Sequence, residues 1–236
     1  MATVVYTVFE RQVLALLNVL KSDSATTAEA NYVLATALTV TEINDPAFPP
    51  AFVRDLIVEA AGQVIRFVCL TEGHPRRADY RTTASIAHAG VLPSAIAYGR
   101  VSHTGTGQEM YPVDSPNQIN DVLADTGSAN SAVFYEYSFS GDTMLLSQTP
   151  ATLEYFTYTR PAATPAALAA LFDGTATVTM GPEFVPVVVN YAVGMGCLKT
   201  GSYLDQGSAH LALAERLLTQ LGVRVEPADF FKSQSI

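Results

Sequence analysis

The sequence predicts an α+β fold, in which a helical bundle carries an inserted small antiparallel β-sheet. Apolar residues recur every three to four positions near both ends of the chain, which is the period of an amphipathic helix. Between them, apolar and polar residues alternate, which is the period of a strand. We therefore divide the chain into N-terminal bundle helices (1–77), a β-rich insertion (78–160), a C-terminal helix pair completing the bundle (161–222) and a C-terminal arm (223–236).

Two helices are predicted before residue 45. Phe9, Val13 and Leu17 share one face of a helix at 5–21. A threonine pair followed by a glutamate then resembles the N-cap of a second helix, at 26–41.

The helix at 50–72 has the clearest pattern in the chain. Pro50 stands in the first turn, where a proline is tolerated, and Gly73 ends the helix. Polar residues such as Arg54 and Glu59 lie off its apolar stripe, so one face must be buried against other helices. The stripe contains Val53, Leu56, Ile57, Ala60, Val64, Phe67 and Val68.

The β-rich insertion shows alternation with an aromatic face. Tyr135, Tyr137 and Phe139 alternate with polar residues, and a Gly-Asp turn follows them. Strands are predicted at 96–101, 133–139, 144–146 and 153–160, and one short helix is predicted at 116–123.

An antiparallel helix pair is predicted near the C-terminus, at 182–198 and 204–221. Gly201 permits the turn between the two helices, and Gly222 is placed to end the second. Gly194 and Gly196 lie inside the first helix, where small residues let a neighbouring helix approach closely. The predicted inward face of the second helix contains His210, Leu211, Ala214, Leu217, Leu218 and Leu221.

The charge balance argues against a protein that grips nucleic acid through its phosphates. The chain has 13 Lys and Arg against 22 Asp and Glu. No Lys or Arg lies between Val101 and Thr159, whereas seven Asp and Glu do. Phosphate neutralisation requires clustered basic residues. The cluster of Arg76, Arg77 and Arg81 is too small for that, and we expect these arginines to pair with nearby carboxylates.

No membrane span or secretory signal is expected. The longest apolar run, at 184–198, contains Pro186 and Asn190 and is shorter than the roughly 20 residues that a span requires. The first residues lack the basic region of a signal peptide. Cys69 and Cys197 both fall in apolar helical patterns, so we expect two buried thiols in a reducing compartment and no disulfide.

No pattern of catalytic or cofactor-binding residues is found, and we expect no enzymatic activity, metal or organic cofactor. The sequence contains no G-x-S-x-G, S-x-x-K, H-E-x-x-H, C-x-x-C or P-loop motif. Cys69 and His74 are a lone pair without further ligands. His210, on the inward face of a leucine-rich helix, is interpreted as a core or interface residue.

The C-terminal helix pair nevertheless resembles the head–tail connector adaptors of tailed bacteriophages. The resemblance rests on GPEFVPVVVNYA at 181–192, LKT at 198–200 and AHLALAERLL at 209–218. The long helix closed by GHPR at 73–76 and the aromatic strand ending LEYFTY at 153–158 are also similar to that family's pattern. The resemblance covers residues 50–222 in the order of elements, and the helices predicted before residue 45 are not clearly matched.

The resemblance implies a virion structural protein at the head–tail interface, made in the host cytoplasm. Such proteins form homo-oligomeric rings, commonly of about twelve subunits, which join the portal protein to a tail or nozzle protein. Double-stranded DNA passes through the ring without specific binding. The family commonly places its C-terminal segment against the portal. On that basis, portal binding is assigned to residues that follow Gly222: Arg224, Phe230, Phe231 and Ile236.

Three other functions remain open from the sequence. The chain could be another phage neck or tail-completion protein, which would have the same assembly role but a different neighbour. It could be an enzyme of a type whose motifs are not recognised. It could also be a small-ligand binding domain whose pocket is lined by strand aromatics, namely Phe134, Tyr135, Tyr137, Tyr155, Phe156 and Tyr158.

Overall fold

The computed structural model describes residues 2–21, 47–126 and 135–224 and has the mixed α+β composition that the sequence predicts. The chain divides into two compact units. The helical unit comprises the residues up to Asp79 and those from Thr159 onward, and the β unit runs from Tyr80 to Tyr158.

Five of the described helices follow the predicted order, and the helix at Pro165–Leu171 was not predicted. The predicted second helix, at 26–41, lies outside the described residues. The predicted helix at 182–198 starts with a 3₁₀ turn, Pro182–Phe184, before its α-helical part. The helices are α1 (Tyr6–Lys21), α2 (Pro50–Leu70), α3 (Pro116–Thr126), α4 (Pro165–Leu171), α5 (Val185–Thr200) and α6 (Leu204–Gln220).

Nine strands lie in the described residues, in three small sheets. The β unit contains a three-stranded antiparallel sheet in the order β2-β8-β4 and a four-stranded sheet in the order β3-β7-β6-β5, where β5 is parallel to β6. Strands β1 and β9 pair within the helical unit. The strands are β1 (Thr3–Val5), β2 (Arg81–Ile86), β3 (Gly90–Val91), β4 (Ala97–His103), β5 (Tyr111–Pro112), β6 (Glu136–Ser140), β7 (Thr143–Leu146), β8 (Ala151–Phe156) and β9 (Thr177–Thr179).

One strand prediction is wrong at its C-terminal end. The alternation predicts a strand at 153–160, but β8 ends at Phe156. Both neighbours of β8 reach their last paired position there, because Arg81 of β2 and Ala97 of β4 each lie opposite Phe156. Beyond that residue no partner strand continues the ladder.

The core of the helical unit is built around α5. Twelve of the 16 residues of this helix are buried, on all of its sides. A helix that is apolar all round must be enclosed by other elements. Helices α1, α2 and α6 pack against it.

Helix α2 buries the predicted stripe and pairs the polar residues that lie off it. Leu56 and Ile57 are fully buried. The Arg54 Nε lies 2.7 Å from Glu10 Oε1 on α1, and Lys199 Nζ of α5 lies 2.6 Å from Glu59 Oε2. The polar face of α2 therefore also ties it to its neighbours.

Helices α5 and α6 approach closely at two glycines. A Cβ on Gly194 would lie 2.7 Å from Leu211 Cγ and 2.9 Å from the backbone oxygen of Gly207. A Cβ on Gly207 would lie 2.8 Å from Cys197 Cβ. The prediction that Gly194 allows close helix packing is therefore confirmed.

The inward face of α6 is narrower than predicted. Leu211, Ala214 and Leu218 are buried, whereas His210, Leu217 and Leu221 are half-buried. Because the Gly194–Gly207 contact fixes the rotation of α6, Leu217 lies at the edge of the buried face. Gly222 ends the helix as predicted, in a left-handed conformation with φ of 79°.

Replacing Gly194 by alanine should destabilise the helical unit. The added methyl would overlap a backbone oxygen that cannot rotate away, and overpacking of this kind costs about 1–3 kcal/mol. The higher helix propensity of alanine offsets about 1 kcal/mol of that cost. We therefore expect Gly194→Ala to lower the free energy of unfolding, measured by chemical denaturation.

Gly196→Ala is the matched control in the same helix. The nearest atom to its Cβ is the terminal Cδ1 of the Leu56 side chain, at 3.0 Å, which can move aside. This variant should change stability by less than Gly194→Ala. Equal effects of the two substitutions would contradict the close approach at Gly194.

Candidate functional site

A cavity of about 570 Å³ lies in the helical unit, between α1, α5 and α6. Its walls are mainly apolar and are formed by Ala15, Leu16, Pro186, Val189 and Leu213. Three polar side chains also line it, from Gln12, Asn190 and His210.

Asn190 and His210 form a hydrogen-bonded pair in the cavity wall. Asn190 is 8% exposed, and its Nδ2 donates to the backbone oxygen of Pro186 at 2.7 Å. Its Oδ1 lies 2.7 Å from Nδ1 of His210. Because an amide oxygen only accepts, Nδ1 of the histidine must carry the proton and donate. In a neutral imidazole this leaves Nε2 as an acceptor.

The electrostatics of the cavity favour uncharged groups. Burial lowers the pKa of His210 from its ordinary value of 6.5, because the imidazolium would lose hydration. The other lining residues have no ionisable side chain. At neutral pH the cavity therefore presents a mainly apolar wall with the neutral Asn190–His210 pair and the neutral amide of Gln12.

The sequence signals only part of this site. His210 was expected as a core or interface residue, and its half-buried position and bond to Asn190 agree with that interpretation. Asn190 is a single polar residue in a long apolar run. A buried polar side chain requires a partner, and that requirement is the signal that could have directed attention to Asn190.

Of the residues assigned to portal binding, Arg224 alone lies in the described part of the chain. Phe230, Phe231 and Ile236 lie outside it. Arg224 is exposed, and its backbone N–H donates to Thr71 Oγ1 at 3.0 Å, just past the end of α2.

Val223, the first residue of the predicted C-terminal arm, belongs to the core of the helical unit. This residue is 2% exposed, and its N–H donates to the Leu218 oxygen at 3.0 Å. Burial of one apolar side chain continues the α6 packing by one residue beyond the helix-ending glycine.

His74 joins the segment after α2 to the end of α6. Its Nδ1 accepts from the N–H of Arg76 at 3.2 Å, so its Nε2 donates to the Leu221 oxygen at 3.1 Å.

Cys69 is buried, and burial raises the pKa of its thiol to about 12. Because metals bind the thiolate, the possible Cys69–His74 ligand pair is disfavoured.

The strand aromatics in the described part of the chain do not all face one pocket wall. Tyr155 and Phe156 are consecutive in β8 and therefore point to opposite faces of its sheet. Tyr135 packs edge-on against His103, whereas Tyr137 packs against Phe139, with ring centroids 5.6 Å and 5.5 Å apart. Phe134 lies outside the described residues.

Two arginines of the predicted basic cluster do pair with carboxylates. Arg76 Nε lies 2.7 Å from Glu183 Oε1, and Arg81 lies 3.5 Å from Glu154. The pKa of Glu183 is lowered by hydrogen bonds and by the Arg76 charge, which outweigh the opposing effect of burial. Arg76 and Arg81 therefore pair with nearby carboxylates, as expected.

Comparison with protein-family models and with curated proteins finds no match to this chain.

Within residues 2–21, 47–126 and 135–224, no helix is both long and apolar enough to cross a membrane. The same residues contain no group of three or more His, Cys, Asp and Glu side chains placed to hold a metal ion.

The lowered pKa of His210 predicts a pH-dependent stability. Between the lowered pKa and 6.5, the unfolded chain binds a proton that the folded chain does not, so stability falls as the pH drops through this window. His210→Gln keeps a donor for Asn190 but cannot titrate. From about pH 7.5 to about pH 5.5, its melting temperature should fall less than that of the wild type.

The thermal unfolding of the helical unit is measured by the helix signal in circular dichroism. His103→Gln, which removes a histidine of the β unit outside the cavity, is the control for loss of an imidazole elsewhere in the chain. An identical pH dependence in His210→Gln and the wild type would contradict the burial of a neutral His210.

Proposed function

We propose that this protein is a subunit of the head–tail connector ring of a tailed bacteriophage. It would join the portal to a tail or nozzle protein in the virion, after synthesis in the host cytoplasm, and act without catalysis or a cofactor. The observation that carries the proposal is the order of elements. The long helix α2 leads into a β unit, and the chain returns as the close-packed pair α5 and α6, which bears the motifs of the resemblance.

The packing of the helical unit supports the role of a ring subunit that keeps its shape within an assembly. Helix α5 is enclosed on all sides, and ion pairs from Arg54 and Glu59 link α2 to α1 and to α5. A ring subunit must hold its shape while both of its flanks contact neighbours through heterologous interfaces. A close-packed helical core meets this requirement.

The charges of the β unit support passage of DNA without specific binding. This unit has two arginines, Arg81 and Arg100, against seven Asp and Glu. Each arginine lies beside a carboxylate, Glu154 at 3.5 Å and Glu109 at 3.7 Å. With two arginines against seven carboxylates, this unit offers few phosphate contacts, and each contact avoided removes a source of friction on moving DNA.

The ring prediction is tested by the mass of the purified chain. Light scattering after size exclusion should give an assembly on the order of ten or more subunits, and two-dimensional cryo-EM class averages should show a closed ring. If portal rings are needed to nucleate assembly, mixing the chain with portal should produce the same particle. A monomer or dimer that forms no ring with portal present would overturn the proposal.

A truncation after Arg224 tests portal binding by the C-terminal arm. It removes Phe230, Phe231 and Ile236 but keeps the buried Val223 and the bond to Thr71, so the melting temperature should not change. Because aromatic anchors often contribute 2 kcal/mol or more to an interface, portal affinity should fall by about 30-fold or more.

Two further variants distinguish a loss of portal affinity from a loss of stability. Phe230→Ala combined with Phe231→Ala should reproduce most of the loss of affinity. Truncation after Gly222 additionally removes Val223, and it should lower the melting temperature as well. Unchanged portal affinity after truncation at Arg224 would show that the arm is not the portal contact.

A further inference from the structure

We propose that the cavity between α1, α5 and α6 is a binding site for a small neutral molecule that combines an apolar ring with one N–H or O–H donor. The donor would bond to Nε2 of His210. This site lies within the helical unit, and its assignment does not depend on the connector function.

The size and walls of the cavity suit such a ligand. Its volume of about 570 Å³ falls within the range of roughly 300–1,000 Å³ that is typical of small-molecule sites. Leu16, Val189 and Leu213 contribute apolar wall from three different helices. Binding an apolar ring there would remove hydrophobic surface from water on both sides of the contact.

The hydrogen bonds of the Asn190–His210 pair define which polar group the ligand must carry. Asn190 Nδ2 donates to Pro186, and its Oδ1 accepts from His210 Nδ1. These two bonds fix the imidazole tautomer and leave Nε2 with an unshared lone pair. Nε2 makes no hydrogen bond to another described residue, and a half-buried acceptor gains free energy from a donor.

The absence of charge on the lining side chains selects a neutral ligand. A cationic donor would give up hydration at an apolar wall without a lining carboxylate to offset the loss. An anion would face the lone pair of Nε2, and none of the lining residues offers a compensating positive charge. The selected chemistry is therefore a neutral donor on an apolar ring, as in indole or a phenol.

Indole and 1-methylindole form a matched pair of probes for this site. The two molecules share one ring system, but only indole has an N–H to donate. The chain contains no tryptophan, so indole fluorescence excited beyond the tyrosine absorption has no background from the protein. We expect saturable binding of both probes to the full chain, with indole bound about tenfold more tightly, as one hydrogen bond of about 1.4 kcal/mol requires.

Two substitutions on α6 test whether the probes occupy this cavity. Leu213→Phe adds volume at a lining position and should weaken binding of both probes about tenfold or more. Leu217→Phe places the same residue at another half-buried position of the same helix, outside the lining, and should leave both affinities unchanged. Unfolding curves of both variants show whether the helical unit remains folded.

A third variant tests the acceptor. His210→Leu removes Nε2, and the preference for indole over 1-methylindole should disappear. A preference that persists in this variant would mean that the extra methyl group merely clashes, and the proposal would fail.

A spectroscopic measurement covers the case in which His210→Leu does not fold. In the wild-type chain with ¹⁵N-labelled histidine, indole should shift the Nε2 resonance of His210 more than 1-methylindole does. Lack of saturable binding, equal affinities for the two probes, no effect of Leu213→Phe or an unmoved Nε2 resonance would each overturn the proposal.

Discussion

The enclosure of α5 is the constraint on which the helical unit depends. Its buried residues lie on every side of the helix, so α1, α2 and α6 must each cover one of these sides. The crossing of Gly194 and Gly207 then fixes how closely α6 approaches, because a side chain at either position would overlap atoms of the facing helix. Buried apolar surface supplies the driving force for this arrangement, and the two glycines set its geometry.

The candidate site follows from the same constraint. Asn190 is a polar residue in the buried part of this helix, and a buried amide without partners would lose its hydrogen bonds to water without compensation. The backbone oxygen of Pro186 and the imidazole of His210 satisfy it. Satisfying Asn190 uses one nitrogen of His210 and leaves the other as an acceptor, so a requirement of folding produces a group capable of binding.

Local periodicity predicted much of the fold but little of the site. The apolar stripe of α2 and the alternation through Tyr137 and Phe139 are properties of neighbouring residues, and they identified a helix and a strand. The order β2-β8-β4 and the parallel pair of β5 and β6 depend on residues far apart in the chain, which no local period encodes. The bond between Asn190 and His210 is of this second kind, since it depends on how two helices cross.

The two units meet different physical demands of the proposed function. A connector must resist deformation, which the close-packed helices provide, and must let a polyanion pass, which a surface poor in free cations provides. The cavity belongs to the helical unit and is mainly apolar, so its ligand would act on the close-packed helices. A bound ring between α1, α5 and α6 would add apolar contacts around α5 and stabilise the folded state by mass action.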